Sequence, residues 1–201
     1  MKKTLTILFF LLVSANAFAQ YRTIFGEDRL RISGFGAPLM NLTSMDGEFA
    51  YLTGGGGAAI INGRMLIGGY GYDTKNDINP SIKTYRDQGY QLSYDEGGLW
   101  LGWVFNPSKP IHITGSLLSG WGDIQLKNRD NNFVPLSDKV YVLTPVVELE
   151  ANITSWFRLA AGANYRFAMG ADRIAGYQNS DFSSPGAFVT FKFGWFRTRG
   201  I

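Results

Sequence analysis

Along the last third of the chain, apolar residues recur at every second position. In "PGAFVTFKFGWF" (185–196), Ala187, Val189, Phe191, Phe193 and Trp195 share one face, and Phe188, Thr190, Lys192 and Gly194 lie between them. In "WFRLAAGANYRF" (156–167), Phe157, Leu159, Ala161, Ala163, Tyr165 and Phe167 alternate with Arg158, Ala160, Gly162, Asn164 and Arg166. In "YVLTPVVELEAN" (141–152), Tyr141, Leu143, Pro145, Val147 and Leu149 oppose Thr144, Glu148 and Glu150. A period of two puts alternate side chains on opposite faces of a β-strand, whereas a helix face repeats every 3.6 residues. Extending the reading gives eight strands: Arg29–Ala37, Glu48–Ile61, Arg64–Tyr72, Leu92–Phe105, Ile111–Gln125, Val140–Ala151, Trp156–Met169 and Gly186–Phe196.

The connections predict the topology. Short ones fall at Asn62-Gly63, Asn106–Pro110 and Asn152–Ser155. Asn-Gly suits a type I′ hairpin because both residues tolerate positive φ. Long ones, rich in Asp, Asn, Ser, Gly and Pro, are read at Pro38–Gly47, Asp73–Gln91, Leu126–Lys139 and Gly170–Pro185. Alternating long and short connections describe an up-and-down meander with four long loops at one end. The predicted fold is all-β: a closed, eight-stranded, antiparallel up-and-down transmembrane β-barrel.

The four glycines Gly54–Gly57 do not fit a phosphate loop. The chain has no Gly-Lys pair for a Walker motif, and position 60 holds Ile60 where a dinucleotide fingerprint needs its third glycine. Strand glycines mark bending or close approach. Here they recur at Gly68-Gly69, Gly71 and Gly97-Gly98. An eight-stranded barrel is only just wide enough for its side chains, so inward glycines leave room for rings from across the lumen. Tyr70, Tyr72, Trp100 and Trp103 fall on both faces, and bulges are expected to shift the register of strands two to four.

The faces separate a soluble carrier from a membrane barrel. Large apolar side chains occupy one face, and small residues with isolated charges the other. A lipid-facing Arg or Lys near the bilayer midplane costs about 2–4 kcal/mol, so the charged face is assigned to the lumen. Interior charges must compensate one another. The expectation is one interior polar network of Glu148, Glu150, Arg158, Asn164, Arg166 and Lys192, with Thr144 as a neutral partner. Glu148 or Glu150 should lie beside Arg158.

Composition adds boundaries. Lys2-Lys3, the apolar run Thr6–Val13 and Ala17-Phe18-Ala19 read as a cleaved signal peptide over 1–19. Residues 20–28 are a lead-in and 29–201 the barrel. Without the signal lysines, 17 Lys and Arg face 16 acids, and the net charge of +1 offers no basis for nucleic-acid binding. The chain has no cysteine, which excludes thiolate metal sites and thiol catalysis. His112 stands alone near a short turn and is read as a lumen or rim residue, with no Ser/His/acid constellation around it. The loop stretches "DTKND" and "NRDNN" lack EF-hand spacing and read as solvated tips. Asn41-Leu42-Thr43 and Asn152-Ile153-Thr154 match a glycosylation pattern by accident. Neither an enzyme nor a cofactor is expected.

With these residues in hand, the chain resembles the small outer-membrane β-barrels of Gram-negative bacteria, OmpA/OmpX-type in architecture. "VELEANITSWFRLAAGANYRF" (147–167) and the closing "FKFGWF" (191–196) are similar to eight-stranded outer-membrane barrels of the Bacteroidota. The resemblance spans roughly 29–196. It implies outer-membrane lipid as the surroundings and insertion by the outer-membrane assembly machinery. That machinery reads an aromatic final strand, here Phe191, Phe193, Trp195 and Phe196. Three roles follow: a monomeric structural or adhesive protein acting through its loops, a narrow pore for ions or very small solutes, or a soluble periplasmic carrier of a hydrophobic ligand.

Overall fold

The computed structural model describes residues 30–128 and 136–196. The chain divides into two units, Met1–Leu30 and Arg31–Ile201, and the strands lie in the second. The expected signal peptide, the lead-in and the residues after Phe196 lie outside the described residues. Eight strands form one closed barrel in sequence order: β1 (Ile32–Met45), β2 (Glu48–Ile61), β3 (Met65–Thr74), β4 (Tyr90–Phe105), β5 (Ile111–Asn128), β6 (Leu136–Asn152), β7 (Phe157–Met169) and β8 (Ser184–Trp195). Every neighbouring pair is antiparallel, and β8 closes on β1 through pairs such as Gly34↔Trp195 and Asn41↔Phe188. Two short helices interrupt the long connections, α1 (Lys83–Asp87) and α2 (Asn179–Phe182).

One expected loop is a strand. The segment Pro38–Gly47 continues β1 to Met45, and the connection to β2 is the two-residue turn Asp46-Gly47. Its φ angles of 53° and 79° repeat those of Asn62 and Gly63, at 51° and 71°. Both turns use an Asx-Gly pair because consecutive positive φ matches the twist of a hairpin. Asn41, Thr43 and Met45 point into the lumen, which is why a polar stretch belongs to a wall strand. The ladder to β8 skips Ala37 and Pro38, where proline supplies no N–H.

A single parity governs the facing. Inward residues are odd-numbered in β1 and even-numbered in β2 to β8. The register of β2–β3 and β3–β4 is unbroken, so the expected bulges are absent there. Tyr70, Tyr72 and Trp100 simply face in, and Trp103 faces out. The interior therefore holds more rings than the sequence suggested, and inward glycines make the space. A Cβ on Gly122 would lie 2.6 Å from the Tyr94 hydroxyl, and one on Gly56 would lie 3.3 Å from the Trp100 ring.

The turns at 62–64, 106–110 and 153–156 share one end with the start of β1 and the end of β8, and the Asp46-Gly47 turn lies at the other end with the long connections. At the other end β4, β5 and β6 outlast β3 and β7. Asp95 is the last β4 residue paired with β3, while β4–β5 pairing continues to Tyr90↔Asn128.

Candidate functional site

Alternation on β6 points Glu148 and Glu150 inward side by side, and the strand pairing sets their company. Thr114 lies opposite Glu148 and His112 opposite Glu150 on β5, while Arg158 and Lys192 are paired across β7 and β8. Lys192 Nζ donates to Glu148 Oε2 at 2.8 Å and to Glu150 Oε2 at 2.6 Å. Arg158 Nη1 donates to Glu150 Oε1 at 2.7 Å, and the Thr114 hydroxyl to Glu150 Oε2 at 3.2 Å. His112 Nε2 stands 3.3 Å from Glu150 Oε1 and its Nδ1 3.3 Å from the Lys109 carbonyl. Glu150 is thus the hub, and Arg158, which is level with Asn152 across the hairpin, reaches it diagonally. These charges are buried, Lys192 at 1 % exposure and Arg158 at 6 %. A buried charge is tolerable only with partners of opposite sign, which this cluster provides, while Glu148 Oε1 and Arg158 Nε are left without a hydrogen-bond partner among the described residues.

Rings cover the side of the cations that the carboxylates leave open. Phe196, Phe35, Trp100 and Phe188 form a column through the lumen, with successive centroids 6.1, 5.4 and 6.5 Å apart. The Arg158 guanidinium sits 3.9 Å from the Phe196 centroid. Lys192 Nζ is 5.3 Å from that of Phe35 and 5.6 Å from that of Trp100. Cations over ring faces gain from the quadrupole, more so when desolvated. Phe191, Phe193 and Trp195 face outward, whereas Phe196 continues the inward series Lys192, Gly194, Phe196 and is buried. It stands apart in direction from the three aromatics with which the sequence grouped it.

The six residues expected to form one network are divided by the structure. Asn164 Nδ2 donates to Asn41 Oδ1 at 3.0 Å, away from the ionic cluster. Arg166 lies towards the opposite mouth. Its Nε donates to the Phe182 carbonyl at 2.7 Å, and its Nη2 to the Ser44 carbonyl at 2.9 Å and the Ser184 hydroxyl at 3.3 Å. Its guanidinium is 5.2 Å from the Tyr94 centroid. Arg166 therefore ties α2 to the barrel rather than pairing with a carboxylate by hydrogen bond. The Thr144 hydroxyl is buried without a hydrogen-bond partner among the described residues.

The long connections at that mouth are packed. Ile78, Ile174, Tyr177 and Phe182 are buried with the upper strand residues Leu92, Tyr94, Ile124 and Leu126, and Ile82 and Tyr85 rest on them. Two inward aspartates hold this cap. Asp46 accepts the Ser81 N–H at 2.6 Å, the Ser81 hydroxyl and the Tyr177 hydroxyl at 3.1 Å. Asp138 accepts the N–H groups of Asp172 at 2.9 Å and Arg173 at 2.8 Å. Burial first, and then the Asp46 carboxylate, hold the Tyr177 phenol above its ordinary pKa, so it stays a donor. The "DTKND" stretch is likewise tied down. Lys75 Nζ donates to Asp73 Oδ2 at 2.6 Å, and the Asn76 amide side chain brackets the β2 backbone at Tyr51 N and Phe49 O. The third long connection, residues 129–135, falls outside the described residues.

Sequence reasoning left out His112 as a member of the ionic cluster, Asp46 and Asp138 as cap anchors, and Glu96, which is buried and accepts the Tyr94 hydroxyl. Parity alone would have placed His112, Asp138 and Glu96 inward. Among the described residues, no group of three or more His, Cys, Asp or Glu is arranged to hold a metal ion. The interior charges are set against one another and against rings, and the arrangement is one of packing and charge compensation.

No protein-family model matches the chain, and no curated protein matches it. Solved structures do. Neisserial surface protein A (NspA) is similar at a TM-score of 0.60 and 11 % identity, covering 83 % of this chain and 99 % of that one. The N-terminal β-barrel domain of Pseudomonas aeruginosa OprF is similar at 0.53 and 10 % identity, covering 83 % of this chain and 100 % of the other. Ail, the attachment invasion locus protein of Yersinia pestis, in complex with the heparin analogue sucrose octasulfate, is similar at 0.50 and 14 % identity, covering 82 % of this chain and 97 % of the other. At such identities the likeness is one of fold: the closed eight-stranded barrel of small outer-membrane proteins.

Proposed function

We propose that the chain is a monomeric outer-membrane barrel of a Gram-negative bacterium, with the packed cap displayed on the cell surface as its contact region. The observation that carries this reading is the inversion of the faces. Lys192 and Arg158 are inside, while Trp195, Trp121 and Val147 are 79 %, 68 % and 61 % exposed on the outside. A water-soluble barrel would bury those side chains, and a bilayer solvates them. From Phe157 to Phe167, both outward on β7, ten residue steps at ~3.3 Å and a tilt of ~40° span about 25 Å, the height of a lipid-facing band. Above the outward row Gly71–Gly97–Trp121–Tyr141 comes the row Asp73–Asp95–Asp123–Lys139, a sharp change from apolar and aromatic to charged.

The turns at 62–64, 106–110 and 153–156 then face the periplasm and the cap faces outward, where binding residues on a rigid scaffold usually sit. The lumen filled by Trp100, Phe188, Arg166 and Lys192 speaks against the narrow pore, and the outward rings speak against the hydrophobic-ligand carrier. Phe191, Phe193 and Trp195, outward on the last strand, are the surface offered to the assembly machinery. The test is fractionation of the tagged protein, combined with amine labelling of Lys83 on intact cells. Recovery with outer membranes and labelling of Lys83 support the reading. Recovery in the soluble periplasmic fraction overturns it.

A further inference from the structure

The chain beyond the last β8 pair does something the barrel wall does not need. The final described pairings of β8 are Gly34↔Trp195 and Phe157↔Phe193. Phe196 comes after them, is buried, and is held by a backbone bond to the Ser155 carbonyl at 3.2 Å. Its ring lies on Arg158, at 3.9 Å, and against Phe35. Arg158 and His112 are the members of the ionic cluster nearest the short-turn mouth, second in β7 and second in β5. Gly194, the inward position before Phe196, is bare because the β1 backbone and Phe35 occupy its space: a Cβ there would run into the Gly34 carbonyl and come within 2.8 Å of the Phe35 Cβ. Phe35 and Phe196 thus share the floor of the lumen, but they are fastened differently. Phe35 is mid-ladder, between strand pairs to β2 and β8, and cannot leave without opening the wall. Phe196 can swing away for the loss of its backbone bond to Ser155, with the β8 strand pairs kept.

We propose that Phe196 is a displaceable stopper over the Arg158–Glu150–Lys192–Glu148 cluster. Solvent reaches the cluster from the short-turn mouth only when the ring moves out. The inference rests on the barrel's geometry and is independent of which partner the cap contacts. Local openings that leave the rest of a structure intact are common where strand pairing has stopped, and here the moving piece carries the closure itself. Cation and ring hold each other shut, so Arg158 is the positioning residue of the closed state.

The chain has no cysteine, which makes the test clean. Thr114→Cys places one thiol in the cluster, at a site that is fully buried. Its reaction with methyl methanethiosulfonate, a small neutral reagent, is timed on the full-length protein folded in vesicles. Ser108→Cys, on an exposed short turn, gives the rate of an open thiol. The stopper predicts slow labelling with Phe196 present and labelling at least about tenfold faster with Phe196→Ala added, as expected when a local opening no longer limits access. Phe196→Leu, which keeps the apolar fill, carries the test if the alanine variant does not fold, and its rate should fall between the two. Equal rates for all three chains, or labelling of the parent Thr114→Cys protein as fast as Ser108→Cys, overturns the proposal.

Discussion

Lys192 is fully buried and draws its two carboxylate partners from one strand, Glu148 and Glu150 of β6. Removing one member of a buried ion pair strands the other, at a cost of about 3–5 kcal/mol. Lys192→Met should therefore lower the unfolding free energy by about that amount in urea titrations from vesicles, and adding Glu148→Gln should recover part of it. The glycines divide at this scale too. A Cβ on Gly56 points inward and meets the Gly69 carbonyl at 2.8 Å and Leu39 at 3.1 Å, whereas on Gly55 it points outward and meets nothing closer than 3.8 Å. Gly56→Val should destabilise by about 1–3 kcal/mol through overpacking, and Gly55→Val should fold as the parent does. The sequence alone treated the two alike, because facing in this region is legible only once the register of β2 and β3 is known.

At the scale of elements, the cap depends on two carboxylates. Asp46→Asn removes the charge that receives Ser81 and Tyr177 while leaving the Asp46-Gly47 turn competent. The expected outcome is faster proteolysis between 75 and 89 with an unchanged barrel, read on gels that distinguish folded from unfolded barrel. Tyr177 contributes in its neutral form, and its pKa is raised on folding. Its contribution is complete below the ordinary tyrosine value of ~10 and is lost as the pH rises above that towards the folded value. Cap protection should thus be flat across neutral pH and decline only in strong alkali, and Tyr177→Phe should remove that decline. The strands β6 to β8 were readable from alternation because their outer positions from Tyr141 onward are apolar without interruption. The upper half of β1 was not. Pro38, Asn41, Thr43 and Ser44 look like loop residues, yet a polar lumen accepts Asn and Thr on a wall strand, and the Asp46-Gly47 turn signal was hidden inside the presumed loop.

At the largest scale, the barrel is a wall of one sheet, closed by the pairing of its first and last strands. Its interior has three layers: the ionic cluster above Phe196 at the short-turn end, a ring-filled middle, and the aspartate-anchored cap. Hydrophobic alternation revealed the wall and the sign of its faces, because both follow from period two and the cost of charge in lipid. The division of the interior was not legible, because it depends on which inward positions lie level across eight staggered strands. Arg166 and Arg158 look equivalent in sequence and lie eight residues apart on β7, yet one fastens the cap and the other holds the floor.

The assignment of faces is the claim on which the account stands, and Trp100 and Trp103 test it from three residues apart on β4, one inward and one outward. Two chains would each retain one of the pair, with the other four tryptophans replaced by Phe, and be folded into vesicles of lipids brominated on their acyl chains. The account predicts strong quenching of Trp103 fluorescence and little of Trp100. Strong quenching of Trp100 with Trp103 left bright would contradict it.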